Sequence, residues 1–472
     1  MEEIAMITEL INDKFYTFVL IPLLLGVGLY FTLKLKCGQF THIAHVTKLL
    51  SKPAKEIDGE KGISPFKAFT ISAASQIGTG NIVGVAAAIG LGGPGAVFWM
   101  WIIALIGGAS SFIENTLGQI FKVSNGDGTY RGGPAYYMDK ALGLPKLGIV
   151  FSIIISIVYG FMFNAIQANT IASAFSNTFG VKEGTVGLIV AIIVGFIIFG
   201  GIRRIADVTS LLVPVMALAY IGLSIFIVIK NITMVPYMFK VIFENAFGLK
   251  AIGGATLGTA ILNGIRRGLF SNEAGMGSVP NASSTADVDH PAEQGLIQAL
   301  GVYINTIVVC SATAFIIILG GENIYTDPSL QGLAITQNAL ATHIGPWAHM
   351  FLTICIFMFA FSSVIGNYYY GENNIEHLGL SRIQLNIYRI LVLIMVYLGC
   401  VGDFSVVWNT GDIFMGVMAI INLIVLLKLG KISIEAYNDY FKQVKEGKKP
   451  VFKISNLKSL KGLENKIDCW EK

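Results

Sequence analysis

Charge is scarce in this chain. Of 472 residues only 13% are Asp, Glu, Lys or Arg, about half the share that soluble domains carry. Cysteine is scarcer still. Cys37, Cys310, Cys355, Cys400 and Cys469 are odd in number, widely separated and without a CxxC pair. Three of them sit inside apolar segments, and all five read as reduced, which excludes a disulfide-framed secreted module and a cysteine metal site. Catalytic patterns are missing as well: there is no HExxH, and no Ser/His dyad falls in the apolar segments, so an intramembrane enzyme is not supported. No loop repeats in the manner of a channel selectivity filter. The formal net charge of +4 is no nucleic-acid footprint, because the basic residues cluster in loops and the C-terminal tail. The chain begins Met1-Glu2-Glu3, acidic where a cleavable signal needs positive charge, and its first apolar run is longer than a signal core.

What is abundant points one way. Hydrophobic residues make up 54%, with 53 glycines and 30 phenylalanines, and the mean hydropathy is +0.67; both glycine and phenylalanine suit helices packed in lipid. A bilayer core holds no water, so the spans are helices that satisfy their own backbone. The sequence therefore predicts an all-α polytopic membrane protein. About 20 apolar residues make one crossing, and eleven segments qualify: Phe15–Leu33, then those near 68–90, 96–120, 148–172, 186–201, 209–229, 254–279, 294–319, 347–370, 385–401 and 407–428. Seven lysines between Lys34 and Lys67, ten from Lys431 to Lys472, and Arg203, Arg204, Arg382 and Arg389 fall on one side. Glu2, Glu3, Glu9, Asp13 and the Lys- and Arg-free stretch Gly321–Pro346 fall on the other, although Lys230, Lys240 and Lys250 run against the pattern. The bias of lysine and arginine toward the cytoplasm predicts an outside N-terminus and a cytoplasmic C-terminus in a cell membrane.

The spans after the first recur. An offset of 197 residues carries 96–120 to 293–317, 148–172 to 345–369, 186–201 to 383–398 and 209–229 to 406–426. Five helices followed by five more, with an odd number per repeat, insert the second copy upside down, the plan of secondary transporters. The expected organisation is an N-terminal helix and basic loop (1–67), a first five-helix repeat (68–230), a second, inverted one (251–430) and a basic cytoplasmic tail (431–472). The first helix of each repeat is interrupted by polar and glycine-rich sequence, Ser72 to Asn81 in one and Gly268 to Gly277 in the other, with Gly80 and Gly277 the same 197 residues apart. Glycine costs about 1 kcal/mol in a helix interior relative to alanine, so two matched clusters predict unwound backbone. Free N–H groups at one half-helix end attract a carboxylate and free carbonyls at the other attract a cation or ammonium. A zwitterion fits both.

Three strings, Gly78-Thr79-Gly80-Asn81, Gly128 to Tyr137 (GTYRGGPAYY) and Arg267 to Gly277 (RGLFSNEAGMG), with Asp289-His290-Pro291 and Glu293-Gln294-Gly295, strongly resemble the alanine/glycine:cation symporter family. The resemblance runs from about residue 15 to 430 and omits the tail. It implies the LeuT-type five-plus-five inverted fold of the amino acid-polyamine-organocation superfamily, and sodium-driven uptake of alanine or glycine without a cofactor, by a protein that functions as a monomer. Proton coupling, or a differently specific amino-acid or nucleobase carrier on the same fold, is the alternative. The resemblance further implies that Ile77, Gly78, Thr79 and Gly80 offer backbone to the substrate. Asn81 and Ser271, with Asn305 or Thr306, would hold a sodium ion through oxygen. The carbonyls of Ala74 and Ile77 with the hydroxyls of Ser362 and Ser363 would form a second sodium site. Phe163 and Gln167 are expected in the pocket wall, Phe270 as an aromatic lid and Met276 as a limit on side-chain size, with Glu273 and Gly275 in the second break.

Charges in lipid are costly and mark function. Arg266 or Arg267 is expected to pair with Asp412 as an outer gate, and Glu114 or Glu273 to orient unwound backbone by accepting its N–H groups. His42 and His45 lack metal-ligating partners in sequence, and the lysine-rich tail reads as a solvated anchor near anionic headgroups.

Overall fold

The computed structural model describes residues 10–54, 56–57, 60–248, 256–402 and 405–471; Glu2, Glu3, Glu9 and Lys250 lie outside them. The chain is an all-α polytopic membrane protein. Among the described residues eight helices are long and apolar enough to cross a bilayer, or nine with one bent pair counted as a span. We number the principal helices in chain order. They are α1 (Leu10–Lys34), the bent α2 (Pro65–Gln76 with Gly80–Gly92), α3 (Ala96–Ile120), α4 (Pro145–Phe179) and the shorter apolar α5 (Glu183–Ile198). After α6 (Gly201–Lys230) comes α7 (Leu257–Asn272). The chain continues through α8 (Pro291–Gly320), α9 (Ala348–His377), α10 (Arg382–Val401) and α11 (Thr410–Lys445). Each expected segment overlaps one of these helices, but α5 and α7, at 16 residues each, are shorter than a crossing of about 20 residues. The only strands among the described residues are two short antiparallel hairpins, Glu56–Ile57 with Glu60–Lys61 and Val123–Ser124 with Tyr130–Arg131.

Both interruptions are present, and they differ. In α2 the helix ends at Gln76, Ile77 leaves helical geometry (φ −88°, ψ 84°), and the axis bends by 52° before Gly80–Gly92. The second does not lie within a helix. α7 stops at Asn272, because Glu273, Gly275 and Gly277 all take positive φ (56°, 81° and 80°), where a right-handed helix cannot continue. A short helix, Pro280–Ser283, follows before α8. The described part of the 254–279 segment is thus a helix followed by a turn, with a helical stub just beyond it.

Polarity is inverted relative to a soluble protein. Phe18, Phe196, Leu211, Leu218 and Ile383 are each more than two-thirds exposed, whereas Asn81, Glu114, Ser271, Glu293, Asn305 and Ser363 are buried to within 1%. Apolar side chains face lipid, and the polar ones line the bundle interior. Helices α9 and α2 pack at van der Waals distance through Gly366, where an added Cβ would stand 2.6 Å from the Ser75 nitrogen.

The tail is not a solvated anchor. Phe452, Ile454, Leu457, Leu460 and Ile467 are buried. The Phe452 N–H donates to the Asp289 carbonyl (3.1 Å), the Trp470 indole donates to the Gln119 carbonyl (3.0 Å), and Lys140 pairs with Asp468 (2.6 Å). Five apolar residues spaced through a lysine-rich stretch give it a buried face, which its net charge conceals. His42 stacks on Phe441 with ring centroids 3.9 Å apart, His45 Nε2 lies 2.7 Å from the Tyr440 hydroxyl, and no His/Cys/Asp/Glu cluster among the described residues could hold a metal ion.

Candidate functional site

The two interruptions meet. Gln76, the last residue of the first half of α2, donates from Nε2 to the Asn272 carbonyl at the end of α7 (2.7 Å). Between them lies a small cavity of about 10 Å³, lined by Ser75, Gln76, Gly78, Gly80, Phe163, Gln167, Phe270, Glu273 and Asn367, with room for about one water. Gly80 is required by its roof: a Cβ there would stand 2.8 Å from the Phe270 ring. Phe270 packs edge-on against Phe163 (centroids 5.2 Å apart) and tilted against Trp408 (5.4 Å). Beyond that aromatic layer opens a vestibule of about 260 Å³, whose lining includes Asn169, Thr170, Ser173, Arg267 and Trp408.

One side chain from the second half of α2 and one from α4 hold the unwound backbone of α2. The Gly78 N–H donates to Asn81 Oδ1 (3.0 Å) and the Thr79 N–H to Gln167 Oε1 (3.1 Å). The other face of the Asn81 amide opens onto a buried polar cluster. Its Nδ2 donates to Ser271 Oγ (3.1 Å), to Asn305 Oδ1 and toward Cys310 Sγ (3.3 Å). Thr313 donates to the Asn81 carbonyl (2.7 Å). Asn305 in turn donates to the Ser271 carbonyl. Asn305 reaches this cluster, whereas the buried Thr306 hydroxyl makes no hydrogen bond among the described residues. The Asn81 oxygen faces Gly78 and its nitrogen faces the cluster, the reverse of the expected orientation.

The adjacent serines part company. Ser363 Oγ lies 2.9 Å from the Ala74 carbonyl oxygen and 3.1 Å from that of Ser75. Ser362 turns away, bonding back to Phe359 (2.8 Å) and facing Met216 Sδ (3.5 Å), as neighbours 100° apart on a helix must. The serine contacts fall on Ala74 and Ser75, while the Ile77 N–H closes its helix on Ala73 (2.7 Å).

The two buried carboxylates divide the second break between them. Glu114 on α3 accepts the Gly275 and Gly277 N–H groups, one on each oxygen (3.0 Å each), together with Asn422 Nδ2 (2.8 Å). Glu273 accepts hydroxyls instead, from Ser75 (3.0 Å) and Ser278 (2.5 Å), so it ties one interruption to the other. Gly275 and Met276 do not line the cavity; a Cβ on Gly275 would face Leu423 and Ser110. Met276 is therefore not the expected limit on side-chain size.

The two arginines of α7 have separate partners. Arg267 stands 3.8 Å from Asp412 and over the Trp408 ring (5.4 Å). Arg266 bonds Asp13 (2.6 Å) and lies over Tyr16 (4.7 Å), whose hydroxyl donates to the Asp412 carbonyl (3.1 Å).

Sequence reasoning missed Ser75, Gln76, Asn367, Cys310 and Thr313. Asn367 lies one helical turn beyond Ser363 and so shares its face, a legible signal. Cys310 is five residues from Asn305, off the same face of an α-helix. Residues Ile304–Cys310 are π-helical, however, and i→i+5 bonding brings the two round together. Gly80–Gly84 and Val158–Phe163, beside the cavity, are π-helical too.

An all-α membrane bundle in which a broken helix and a helix end enclose a small polar cavity, beneath an aromatic layer and a vestibule, is the arrangement of a secondary transporter. Comparison with known proteins agrees: residues 1–454 match the sodium:alanine symporter family, and the chain belongs to that family, whose members are transporters and not enzymes. The match reaches well beyond residue 430 into the tail. The chain is 48% identical over 464 residues to a probable sodium/glutamine symporter of Bacillus subtilis, covering 98% of this chain and 95% of that one. It is 49% identical over 449 residues to an amino-acid carrier protein of the same organism (95% and 94% covered). Against a sodium/proton-dependent alanine carrier of Bacillus sp. strain PS3 it is 37% identical over 429 residues (87% and 96% covered). A crystallised manganese transporter of Eremococcus coleocola has the same fold, with a TM-score of 0.55 at 14% identity over 85% of this chain and 93% of that one. The protein is a multi-pass, sodium-coupled amino-acid symporter.

Proposed function

We propose that the protein couples sodium influx to the uptake of small neutral amino acids, alanine and glycine, by alternating access on a five-plus-five inverted repeat. In this arrangement residues 68–230 and 251–430 are the two repeats, the N-terminus is outside and a single chain suffices. The observation that carries the reading is the cavity: it sits where the break in α2 meets the end of α7, polar on its walls, with Phe163 and Phe270 against it. Opening a space of about 10 Å³ enough to admit alanine or glycine asks for a small displacement of Phe270, while a long side chain asks for a large one.

On this reading the backbone from Gly78 to Gly80, held by Asn81 and Gln167, receives the substrate carboxylate. The substrate ammonium goes to the acceptor side, where Gln76 Oε1 is buried and has no hydrogen-bond partner among the described residues. Sodium would bind between Asn81, Ser271 and Asn305, whose oxygens suit a hard cation; the Asn81 amide turns over to present its oxygen. A second ion would bind between Ala74 and Ser363. Arg267 and Asp412 close the vestibule over Phe270.

Uptake of radiolabelled alanine into proteoliposomes tests this, driven in turn by an inward sodium gradient and an inward proton gradient. Accumulation with sodium supports the Asn81–Ser271 and Ala74–Ser363 assignments. Accumulation only with protons moves the coupling role to Glu114 or Glu273, in line with the sodium/proton-dependent relative. Glutamine displacing alanine completely at equal concentration would overturn the size argument and match the sodium/glutamine relative.

A further inference from the structure

The lipid-facing surface between α5 and α10 carries an apolar groove of about 550 Å³, lined by Ile192, Gly195, Phe196, Phe199 and Leu393, with Arg204 at one end. Phe196 and Phe199 are 72% and 48% exposed, so the groove walls stand open to hydrocarbon. Gly195 gives the groove its depth: a Cβ there would approach Leu393 to 3.2 Å.

Arg204 gives this apolar groove a polar end. Its guanidinium donates to the Phe196 carbonyl (2.7 Å), and its side chain lies across Gly200, where a Cβ would meet Nε at 2.3 Å. The cation is thereby held over the groove's end. Among the described residues it forms no ion pair. The neighbouring Arg389 differs: Glu372 neutralises it at 2.5 Å, and it caps the Phe199 ring from 5.4 Å. Arg203, the next residue in sequence, is turned to the Asp127 carbonyl. One positive charge at the edge of the lipid-facing surface is therefore left without a carboxylate.

An apolar channel for an acyl chain that ends at an uncompensated guanidinium matches one ligand chemistry. We propose that this groove is a binding site for an anionic phospholipid, with an acyl chain along Ile192, Gly195 and Phe196 and its phosphate on Arg204. Guanidinium forms forked hydrogen bonds to phosphate. A zwitterionic headgroup carries its own cation and gains less from Arg204 than an anionic one does. The site lies apart from the cavity and vestibule and does not depend on the substrate.

The test is native mass spectrometry of the delipidated full chain, titrated with phosphatidylglycerol and with phosphatidylcholine of the same acyl length. Wild type should bind phosphatidylglycerol about fivefold more tightly than Arg204→Gln, the worth of about one basic residue near anionic lipid, while phosphatidylcholine binding changes by less. Gly195→Leu, which fills the channel, should weaken both lipids. Equal binding of the two lipids by wild type, or an unchanged phosphatidylglycerol preference in Arg204→Gln, overturns the proposal. So does a dimer mass without lipid adducts, which gives the groove to a second copy of the chain. Alanine uptake should persist in Arg204→Gln, so failure of this site and failure of the transport reading are distinguishable.

Discussion

Replacing Glu114 by glutamine tests the second break directly. Each carboxylate oxygen of Glu114 accepts one peptide N–H, from Gly275 and Gly277, and Oε2 also accepts Asn422 Nδ2. All three neighbours are donors. Asn422 cannot readily turn over, because its Oδ1 accepts the Tyr137 hydroxyl (2.5 Å) and its Nδ2 also donates to the Gly275 carbonyl (3.0 Å). A glutamine keeps one oxygen, best placed where it serves Gly277 and Asn422, and sets its NH₂ against the Gly275 N–H. One charge-assisted bond is lost and two buried donors are left facing each other, a cost of at least about 2–3 kcal/mol. Glu273→Gln has the same chemistry and a different outcome. Its partners are the hydroxyls of Ser75 and Ser278, which can rotate to accept from an NH₂, so the cost is about 1 kcal/mol or less. Thermal and denaturant unfolding of both variants in one detergent measures the difference. Glu114→Gln should be the less stable by about 2 kcal/mol, with sodium-driven alanine uptake reduced at least about tenfold. Equal stability of the two variants, with normal uptake in Glu114→Gln, would refute the assignment of Glu114 as the acceptor that shapes the break.

Arg267→Asp and Asp412→Arg should each cut uptake, and the double exchange should restore more than either single change leaves; a double variant no better than the singles removes the gate. Arg266 bonds Asp13 instead, so exchanging Arg266 with Asp412 should restore nothing. Ser363→Ala should raise the sodium concentration for half-maximal uptake about tenfold, the loss of roughly one ligand bond of about 1.4 kcal/mol, whereas Ser362→Ala should leave it unchanged; equal effects would show that the serine contacts do not separate the two roles. Trp470→Ala removes the indole bond to Gln119 and the contact with Phe452 (centroids 5.2 Å apart), and should lower stability by about 1–3 kcal/mol in thermal unfolding. A tail that is only a solvated anchor would show no change.

The helices and the positions of both interruptions were legible because bilayer thickness, apolar runs and glycine clusters are local properties of sequence. What those signals could not give was orientation. Ser362 and Ser363 are equivalent in composition, and only the rotation of α9 against α2, set by contact at Gly366, decides which one meets Ala74. Arg266 and Arg267 separate for the same reason, one facing Asp13 and the other Asp412. The tail misled because lysine count dominates its composition, while the five apolar residues that fold it back are spaced too irregularly for a helical or strand period. Cys310 was hidden by a departure from the α-helix itself, since helical periodicity puts it off the face of Asn305.

Asn81 explains how ion and substrate would communicate without a long relay. One face of its amide holds the Gly78 N–H of the unwound backbone, and the other meets Ser271 and Asn305. On the proposed reading the first face fixes the groups that receive the substrate carboxylate, and the second lies among the ligands of a sodium ion. Turning the amide to give its oxygen to the ion releases Gly78 N–H, which then needs another acceptor, since a buried unpaired N–H costs about 1–3 kcal/mol. A substrate carboxylate supplies one. Sodium therefore raises affinity for the amino acid by creating an unmet donor, and by linkage the amino acid raises affinity for sodium by the same factor. A side chain at position 81 with only one hydrogen-bonding function cannot do both. Asn81→Asp accepts at both ends and would hold sodium while keeping Gly78 satisfied, so binding of sodium and of alanine, each measured with and without the other, should lose its mutual dependence in that variant. Coupling of wild-type size in Asn81→Asp would place the link elsewhere in the cluster.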